Sequence, residues 1–421
     1  MTRLMVIAAI LFLFSHCNNE KTDSAEKAKA DSMEKQEMKV VDKGDSLPPP
    51  YATKSANKKS DVIGWKKDRL PVAPDGFVVS KFADNLQHPR WIYTAANGDV
   101  FVSQADKDKS ANNILLFRDS NKDGVYETKS VFLKGLNMPF GMLILGNKFY
   151  VANTDALMEY PYKEGVTSIA DAGKNIVSLP GGPRHWTRNI ISNKAGDKIY
   201  IAVGSSTNVA ENGIDKEKRR ALILEVNADG SNEKIYASGL RNPVGMDWAP
   251  GTNVLWAAVN ERDELGDDVP PDYLTSVKEG GFYGWPYAYF GQNADPRIKD
   301  QRTDLVSKTI KPDVSLGSHT ASLGLAFYTK GNFPAEYQNG AFIGQHGSWN
   351  RSVFSGYKVV FVPFKNGQPS GNPRDFLTGF IANEDKNEVY GRPVGVAVLK
   401  DGSLLVADDG GNTIWKVSYK K

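Results

Sequence analysis

The chain has 421 residues, a formal net charge of +3 and an apolar content of 40%, which is ordinary for a globular protein. This length fits either several small domains or one large all-β unit, because barrels and propellers form single domains of this size. The charge is near neutral and no basic stripe with interleaved aromatic residues occurs, which argues against nucleic acid as a partner.

The first 17 residues, MTRLMVIAAILFLFSHC, combine a charged start, a short apolar run and a cysteine. The run is too short to span a bilayer well and is typical of a signal peptide. Cys17 is the only cysteine of the chain and stands where bacterial lipoproteins carry their lipidated cysteine. We therefore expect export and a lipid anchor at Cys17 on a bacterial membrane, facing the periplasm or the cell surface. A plain secretory signal is the alternative.

A polar segment extends from residue 18 to residue 61. It is rich in Lys, Asp, Glu, Ser and Ala, contains LPPPY, and shows almost no apolar periodicity. Such a segment cannot bury enough apolar surface to fold by itself. We predict a disordered linker that holds the folded domain clear of the membrane.

A repeated strand pattern occupies residues 62–421. A turn residue, a short apolar strand, a polar loop and a second alternating strand recur at intervals of roughly 50 to 60 residues. Examples are NGDVFVSQ, GDKIYIAVGSS and DGSLLVADDGGNTIWKVSY. Regularly spaced strands separated by Gly, Asn and Asp turns predict an all-β array, and this period is typical of four-stranded propeller blades. We therefore predict a six-bladed β-propeller with its functional residues at strand ends, and one blade more or fewer is the alternative.

The stretch PRHWTRNI places His185 between Arg184 and Arg188. Because arginine stays charged at ordinary pH, these neighbours should lower the pKa of the imidazole and keep it neutral as a base. His185 is therefore a candidate catalytic base. A surface loop with solvated arginines is the alternative.

Polar residues also stand at the entrances of other predicted strands. Arg241 and Asn242 precede Pro243 in GLRNPVGMDW, and the proline favours extended geometry there. Each such residue alone could be structural, but their recurrence in several blades predicts a shared site. The later members of this set are His319, Asn350, Arg351 and Arg392.

An acidic loop, NERDELGDDVPPDYL, follows the Arg-Asn pair. Crowded carboxylates repel one another unless they are solvated or hold a hard cation, and irregularly spaced oxygen ligands suit calcium. The candidate ligands are Asp263, Glu264, Asp267 and Asp268. A solvated loop is the alternative. A second calcium-like spacing in RDSNKDGVYE lacks the last glutamate of an EF-hand and is better explained as a hairpin turn.

Six stretches together resemble the pyrroloquinoline quinone (PQQ)-dependent sugar dehydrogenases, and most of all their sorbosone dehydrogenase branch, which is related to soluble glucose dehydrogenase. The resemblance covers about residues 71–419, and RNP followed by GGFYGWP is its most specific part. The stretches are HWTRNI, GLRNPVGMDW, GGFYGWPYAYFG, HTASLGLAFY, GQHGSWNRS and GRPVGVAVLKDGSLLVADDGGNTIWKVSY.

This resemblance implies a six-bladed propeller that binds PQQ and calcium and oxidises a sugar, with an external electron acceptor. It makes His185 the base that takes a proton from the sugar hydroxyl, and Arg241 a catalytic cation beside the quinone. The cofactor-binding residues that it implies, together with the strand-entrance set, are Arg188, Arg241, Asn242, His319, Asn350, Arg351 and Arg392. The glutamine and aspartate that line the sugar site of glucose dehydrogenase have no match here, so glucose is not implied.

Two other functions fit a propeller of this kind. A calcium-dependent lactonase or esterase would need a metal centre rich in carboxylates and asparagines on the axis. A non-enzymatic binding propeller is the second alternative, because the last blade also resembles NHL-type repeats. Neither alternative explains a histidine set among arginines.

Overall fold

The computed structural model describes residues 44–420, together with residues 32, 34–35 and 37–42. The predicted signal peptide and Cys17 lie outside the described residues. The all-β prediction is confirmed, since strands dominate the described residues. The helices with described bounds are short, at Thr303–Val306, Ile214–Glu217 and Ala335–Tyr337, and the described residues 32, 34–35 and 37 are also helical. None of the helices in the described part is long and apolar enough to cross a membrane.

Six antiparallel sheets, each with four main strands, make up most of the described chain. Sheet 1 contains Pro89–Thr94, Val100–Gln104, Asn113–Arg118 and Thr128–Leu133. Sheet 2 contains Met142–Leu145, Lys148–Ala152, Ala156–Pro161 and Lys174–Ser178. Sheet 3 contains Ile190–Ser192, Lys198–Val203, Leu222–Asn227 and Lys234–Ser238. Sheet 4 contains Asn242–Trp248, Leu255–Asn260, Pro271–Val277 and Val314–Ser318. Sheet 5 contains Ala326–Tyr328, Gly340–Gln345, Lys358–Lys365 and Arg374–Leu377. Sheet 6 contains Pro393–Val398, Leu404–Asp408, Thr413–Tyr419 and Phe77–Ala83.

Short strands supplement these sheets. They are Lys39–Val40 on sheet 4, Gly281–Phe282 on sheet 3, Gln368–Pro369 on sheet 5, the pair Ala288–Tyr289 and Asn293–Ala294, and the trio Asp61–Val62, Glu388–Val389 and Ile381–Asn383. The predicted hairpin turn at RDSNKDGVYE is confirmed, because it joins the last two strands of sheet 1, which pair antiparallel.

The sheets form a closed ring around an axis. The first strand of each sheet contacts the first strand of the next, and sheet 6 returns to sheet 1. A cavity of about 260 Å³ is lined by residues from the first strands of sheets 1 to 6 or from their immediate flanks, which places these strands at the centre. The N-terminal strand Phe77–Ala83 closes the ring by pairing with the C-terminal strand Thr413–Tyr419. This arrangement is a β-propeller.

The apolar core is distributed among the spaces between successive sheets. Phe101 of sheet 1 packs against Phe149 of sheet 2, with ring centroids 5.0 Å apart, and Ala407 of sheet 6 shares a cluster with Val100 of sheet 1. The second strands are consequently buried on both faces. This explains why Val100–Gln104 is a run of buried residues and does not alternate between buried and exposed positions.

Glycines let neighbouring first strands approach each other. A β-carbon at Gly141 would lie 2.6 Å from the backbone nitrogen of Ile190, and one at Gly395 would lie 2.6 Å from the carbonyl oxygen of Arg90. A β-carbon at Gly245 would likewise crowd the chain immediately before the first strand of sheet 5. In each case the crowded backbone belongs to the next sheet of the ring, so a side chain there would push the sheets apart.

The disordered linker predicted for residues 18–61 is not confirmed, because described residues in its second half pair with the propeller. Lys39 and Val40 pair with the outer strand of sheet 4, and Asp61–Val62 pairs in parallel with Glu388–Val389. The segment is polar and has little apolar surface of its own to bury, but its backbone hydrogen-bonds to strand edges and loops of the propeller. Residues 18–31 lie outside the described part of the chain.

Replacing Gly395 with alanine tests the close approach of the first strands. We expect Gly395→Ala to lower the free energy of unfolding by about 1–3 kcal/mol, the usual cost of overpacking. The matched control is Gly331→Ala, because nothing lies within 4 Å of a β-carbon at that exposed position. Thermal and denaturant unfolding measure both variants, and equal stabilities would contradict this account of ring closure.

Candidate active site

His185 lies just before the first strand of sheet 3, with its backbone in the left-handed region at a φ of 42°. Its Nδ1 lies 2.8 Å from the carbonyl oxygen of Ser205 and 3.0 Å from the Ser205 hydroxyl, which itself donates to the carbonyl oxygen of Thr207. A carbonyl only accepts, so Nδ1 carries the proton in the neutral imidazole. This leaves Nε2 as the proton acceptor.

The electrostatic surroundings keep the His185 imidazole neutral. Burial and the positive charges of Arg241 and Arg184 lower the pKa of His185 to about 3. The expected effect of neighbouring arginines is therefore present, but its largest charged source is Arg241, which lies in a different sheet. A histidine in this state can accept a proton at any ordinary pH.

Arg241 is buried and held on several sides. Its Nη1 donates to the carbonyl oxygen of Glu261 at 2.5 Å, and its Nη2 donates to the Asn208 side chain at 2.9 Å and to Asp263 at 3.1 Å. The Asn208 side-chain oxygen also accepts the backbone N–H of Asp263 at 2.9 Å. These contacts fix the guanidinium and the carboxylate relative to each other.

Asp263 also pairs with His319. Its second carboxylate oxygen lies 3.6 Å from His319 Nδ1, and His319 Nε2 lies 2.8 Å from the carbonyl oxygen of Gly266. Burial alone would raise the pKa of Asp263, but His319 and Arg241 outweigh it and lower that pKa. Burial alone would lower the pKa of His319, but Asp263 outweighs it and raises that pKa. The three residues form a row in which the Asp263 carboxylate lies between the Arg241 guanidinium and the His319 imidazole.

A second cluster joins strand ends from sheets 1, 5 and 6. Asp409 accepts an ion pair from Arg90 and lies 2.8 Å from His346 Nε2. Arg392 donates to the carbonyl oxygens of His346 and Gly347, both at 3.0 Å. Burial and the charge of Arg392 lower the pKa of His346 to about 4. Sequence analysis missed Asp409 and Arg90; the acidic pair that ends the strand Leu404–Asp408 was the available signal.

A cavity of about 550 Å³ is lined by Arg392 of the second cluster and by Arg184, which precedes His185 in the chain; His185 and Arg241 are not among its lining residues. Three of its lining residues are cations, and the lining includes no carboxylate among the described residues. Trp349 contributes an aromatic face and is 40% exposed. The lining residues are Asn57, Lys59, Ser60, Arg184, Trp349 and Arg392. The cavity therefore suits an anionic ligand with a flat apolar part.

Asn242 lies beside His185. A β-carbon placed on Gly204 would meet both the Asn242 side chain and the His185 β-carbon, so the two residues flank this glycine. The side-chain oxygen of Asn242 is buried and has no hydrogen-bond partner among the described residues. An unpaired buried acceptor of this kind is available to a ligand's donor group.

Two of the arginines predicted to bind a cofactor have other roles. Arg188 is fully buried and donates to the carbonyl oxygens of His185, Thr187 and Pro180 at 2.6–2.8 Å. It therefore holds the loop that carries His185 and does not face the cavity. Arg351 is buried against Asp268 and Glu37, at 3.1 and 3.4 Å. These contacts explain the two side chains structurally, and the cofactor role of Arg188 and Arg351 stays a prediction.

Asn350 also has a positioning role in place of the predicted ligand contact. Its side-chain oxygen accepts the backbone N–H of Glu264 at 2.7 Å, and its side-chain nitrogen donates to the carbonyl oxygen of Ala56 at 2.5 Å. It therefore connects the acidic loop to the N-terminal segment.

The acidic loop contains the four predicted calcium ligands. Asp263 pairs with Arg241, Asp267 with Ser352 and Asp268 with Arg351, while Glu264 is exposed. No group of three or more His, Cys, Asp or Glu in the described residues could hold a metal ion. Cationic and hydroxyl partners therefore separate the three paired carboxylates, and calcium binding by Asp263, Glu264, Asp267 and Asp268 stays a prediction.

Comparisons with known proteins agree on one family and one fold. The family model described as TrAA12-like matches residues 71–279 and 283–420. An uncharacterized protein of Borreliella burgdorferi is 32% identical over 361 residues, covering 83% of this chain and 90% of that protein.

Two solved structures have a similar fold. The holo pyranose dehydrogenase PQQ domain from Coprinopsis cinerea matches with a TM-score of 0.70 and 20% identity, over 85% of this chain and 98% of that chain. The calcium structure of the Trichoderma reesei Carbohydrate-Active Enzymes Family AA12 protein matches with a TM-score of 0.71 and 20% identity, over 83% of this chain and 97% of that chain.

Removing the Asp263 carboxylate tests the buried row. In Asp263→Asn the charge that raises the pKa of His319 is lost, so we expect His319 to titrate at lower pH than in the wild type. A raised histidine pKa stabilises the fold below the unfolded value of about 6.5 and loses this contribution as pH rises through the folded value. NMR titration of the imidazole signals measures the shift. Asp267→Asn is the control, and an unchanged His319 pKa in Asp263→Asn would disprove the pairing.

Proposed function

This chain belongs to the TrAA12-like family of PQQ-dependent sugar dehydrogenases, and on that premise we propose that it oxidises a sugar or a sugar-derived aldehyde or hemiacetal with PQQ as cofactor. The observation that carries the proposal is the neutral His185, with Nε2 left as the acceptor beside Arg241, together with a cation-lined cavity to which its chain neighbour Arg184 contributes. The six sheets then correspond to the six blades expected for this family.

The residues of the cavity fit PQQ, an orthoquinone with three carboxylates. Lys59, Arg184 and Arg392 face one space that no carboxylate of the described residues shares. Arg392 uses its guanidinium on backbone carbonyls, so its charge is not cancelled by a direct ion pair. Carboxylates are the groups that such cations bind best. The Trp349 ring offers a face for stacking a planar ligand.

The residues do not fit calcium in the same way. The related Trichoderma structure is described as a calcium structure, but the acidic loop of this chain offers no converging set of carboxylates. No step of the proposed mechanism depends on calcium. The same finding weakens the lactonase alternative, because that function needs a metal centre rich in carboxylates on the axis.

The chain's own residues position and deprotonate the substrate. When bound, PQQ supplies a quinone that accepts a hydride from the sugar carbon. His185 Nε2 accepts the proton of the sugar hydroxyl, and the Ser205 carbonyl keeps the imidazole in the required tautomer. Arg241 places a fixed positive charge beside this base, which stabilises negative charge that develops during the reaction. An anionic ligand would offset the arginine charges and raise the basicity of His185.

His346 is the rival base. Asp409 occupies its Nε2, which leaves Nδ1 as the acceptor in the neutral ring. The proposal favours His185 for two reasons. Arg241 lies in the same cluster as His185, and the family resemblance assigns the base to the position of His185. Variants of the two histidines distinguish these assignments.

The central test measures PQQ binding and turnover separately. We expect His185→Ala to bind PQQ almost as well as the wild type but to reduce a dye with sugar about 10²–10⁴-fold more slowly, the usual contribution of a positioned base. Arg241→Ala should weaken both PQQ binding and turnover, because the bound anion loses a cation. Absorbance titration gives the binding constant, and dye reduction gives the rate.

The outcomes of this test are distinct. Absence of PQQ binding by the wild type would disprove the proposed function. Near-normal turnover of His185→Ala at saturating PQQ, with loss of turnover in His346→Ala, would transfer the role of base to His346 and disprove the His185 mechanism.

We also propose that the protein is exported and anchored through a lipid on Cys17. The proposal rests on the apolar run that precedes this single cysteine. We expect Cys17→Ser to move the protein from the membrane fraction to the soluble exported fraction, measured by fractionation and immunoblotting. Unchanged membrane association would contradict a lipid anchor at this residue.

A further inference from the structure

We propose that residues 51–62, here called the N-terminal strap, form one wall of the cofactor pocket, and that Lys59 in this strap binds an anionic group of the cofactor. This inference rests on the proposed function. It adds a binding residue that lies upstream of the region matched by the family model, which begins at residue 71.

The strap is fixed to the acidic loop. The backbone N–H of Tyr51 donates to the carbonyl oxygen of Leu265 at 2.6 Å. The hydroxyls of Thr53 and Ser55 accept the backbone N–H groups of Asp267 at 2.7 Å and Gly266 at 3.1 Å. The strap therefore touches the loop that carries Asp263, the partner of Arg241.

The strap is fixed to a second loop as well, the one that carries Trp349. The backbone N–H of Lys58 donates to the carbonyl oxygen of Trp349 at 2.8 Å, and Ala56 accepts from the side chain of Asn350 at 2.5 Å. The Lys58 ammonium lies 4.8 Å from the centre of the Phe354 ring and 3.4 Å from Glu384. Attached along its length, the strap is a wall of the pocket and not a free tail.

Lys58 and Lys59 have different surroundings. Lys58 is engaged with an aromatic ring and a carboxylate outside the cavity, whereas Lys59 lines the cavity with Asn57 and Ser60. Lys59 has no ion pair among the described residues. Its backbone neighbours are held by the contacts above, so the flexible lysine stem starts from a fixed point.

The charges facing Lys59 specify the chemistry of the ligand. Arg184 and Arg392 line the same cavity, so three cations share a space of about 550 Å³ without a carboxylate in its described lining. Like charges in one cavity raise the free energy of the empty site, and a ligand that carries several carboxylates relieves this repulsion. Lys59 belongs to the strap, whereas Arg184 and Arg392 belong to propeller loops, so the strap adds a third cation to the two that the matched domain supplies.

The test uses the full-length protein and PQQ as the probe. We expect Lys59→Glu to weaken PQQ binding by about tenfold or more, and Lys59→Gln to weaken it by a smaller factor, because the first reverses the charge and the second removes it. Lys54→Glu is the matched control, since it makes the same change of net charge on the same strap at an exposed residue outside the cavity lining. Quenching of tryptophan fluorescence gives the binding constant without any turnover.

Salt dependence provides a second readout. If Lys59 pairs with a carboxylate, PQQ affinity of the wild type falls as ionic strength rises, and this dependence is weaker in Lys59→Gln. Thermal unfolding of each variant checks that the fold is retained, and Lys59→Gln serves if the charge reversal disturbs the strap.

The results separate the two proposals. Normal PQQ affinity in both Lys59 variants would overturn the role of Lys59 and leave the proposed function intact. Equal losses in Lys59→Glu and Lys54→Glu would also overturn it, because the effect would then come from net charge. Failure of the wild type to bind PQQ would count against the proposed function itself.

Discussion

Closure of the ring of sheets is the constraint on which the rest of the structure depends. The strand Phe77–Ala83 pairs with Thr413–Tyr419, and this pairing joins the two ends of the domain. Each sheet is then buried on both faces, so no sheet could keep its apolar side chains out of water if the ring opened. Glycines such as Gly141 and Gly395 let the first strands approach closely enough for the ring to close around a narrow axis.

The closed ring explains how the site is assembled. Loops at the ends of strands converge on the axis, so residues far apart in sequence become neighbours. Arg241, Asp263 and His319 meet in one row, and Arg90, His346 and Asp409 meet in another. Each row places a carboxylate between cationic or ionisable groups, which is the usual arrangement for buried charges.

The distribution of partners distinguishes structural charges from functional ones. Arg188 and Arg351 are buried and donate to carbonyls or carboxylates, so they hold loops in place. Lys59, Arg184 and Arg392 instead face an open cavity that lacks carboxylates in its described lining. Uncompensated charge in a cavity is costly without a ligand, and this is why the cavity is the better guide to function.

The sequence predicted the fold well because strand periodicity and turn residues are local signals. The strands around NGDVFVSQ and DGSLLVADD lie where the repeated pattern placed them. His185 could also be found, because its arginine neighbours are close in sequence. The partners of Asp263 and Asp409 could not be found in this way, because they are distant in sequence and only the fold brings them together.

Two features of the structure could not be predicted from the sequence, for the same physical reason. The acidic loop resembles a calcium site only while its carboxylates are considered together; Arg241, Ser352 and Arg351 reach them from elsewhere and separate them. The segment before residue 62 resembles a disordered linker only while its own composition is considered. Its order comes from hydrogen bonds to Leu265, Trp349 and the strand at Glu388–Val389.

The two histidines near the cavity differ in what holds them, and this difference bears on catalysis. His346 is held by the Asp409 carboxylate, which favours the protonated ring, although Arg90 and Arg392 oppose it. His185 is held by a carbonyl, and the nearest strong charge is that of Arg241. Nothing in the described surroundings of His185 therefore gives it high basicity until an anion offsets Arg241 and Arg184. A base that gains strength when a polyanionic cofactor binds would be active only in the loaded enzyme, because the same charges that attract the cofactor suppress the base in its absence.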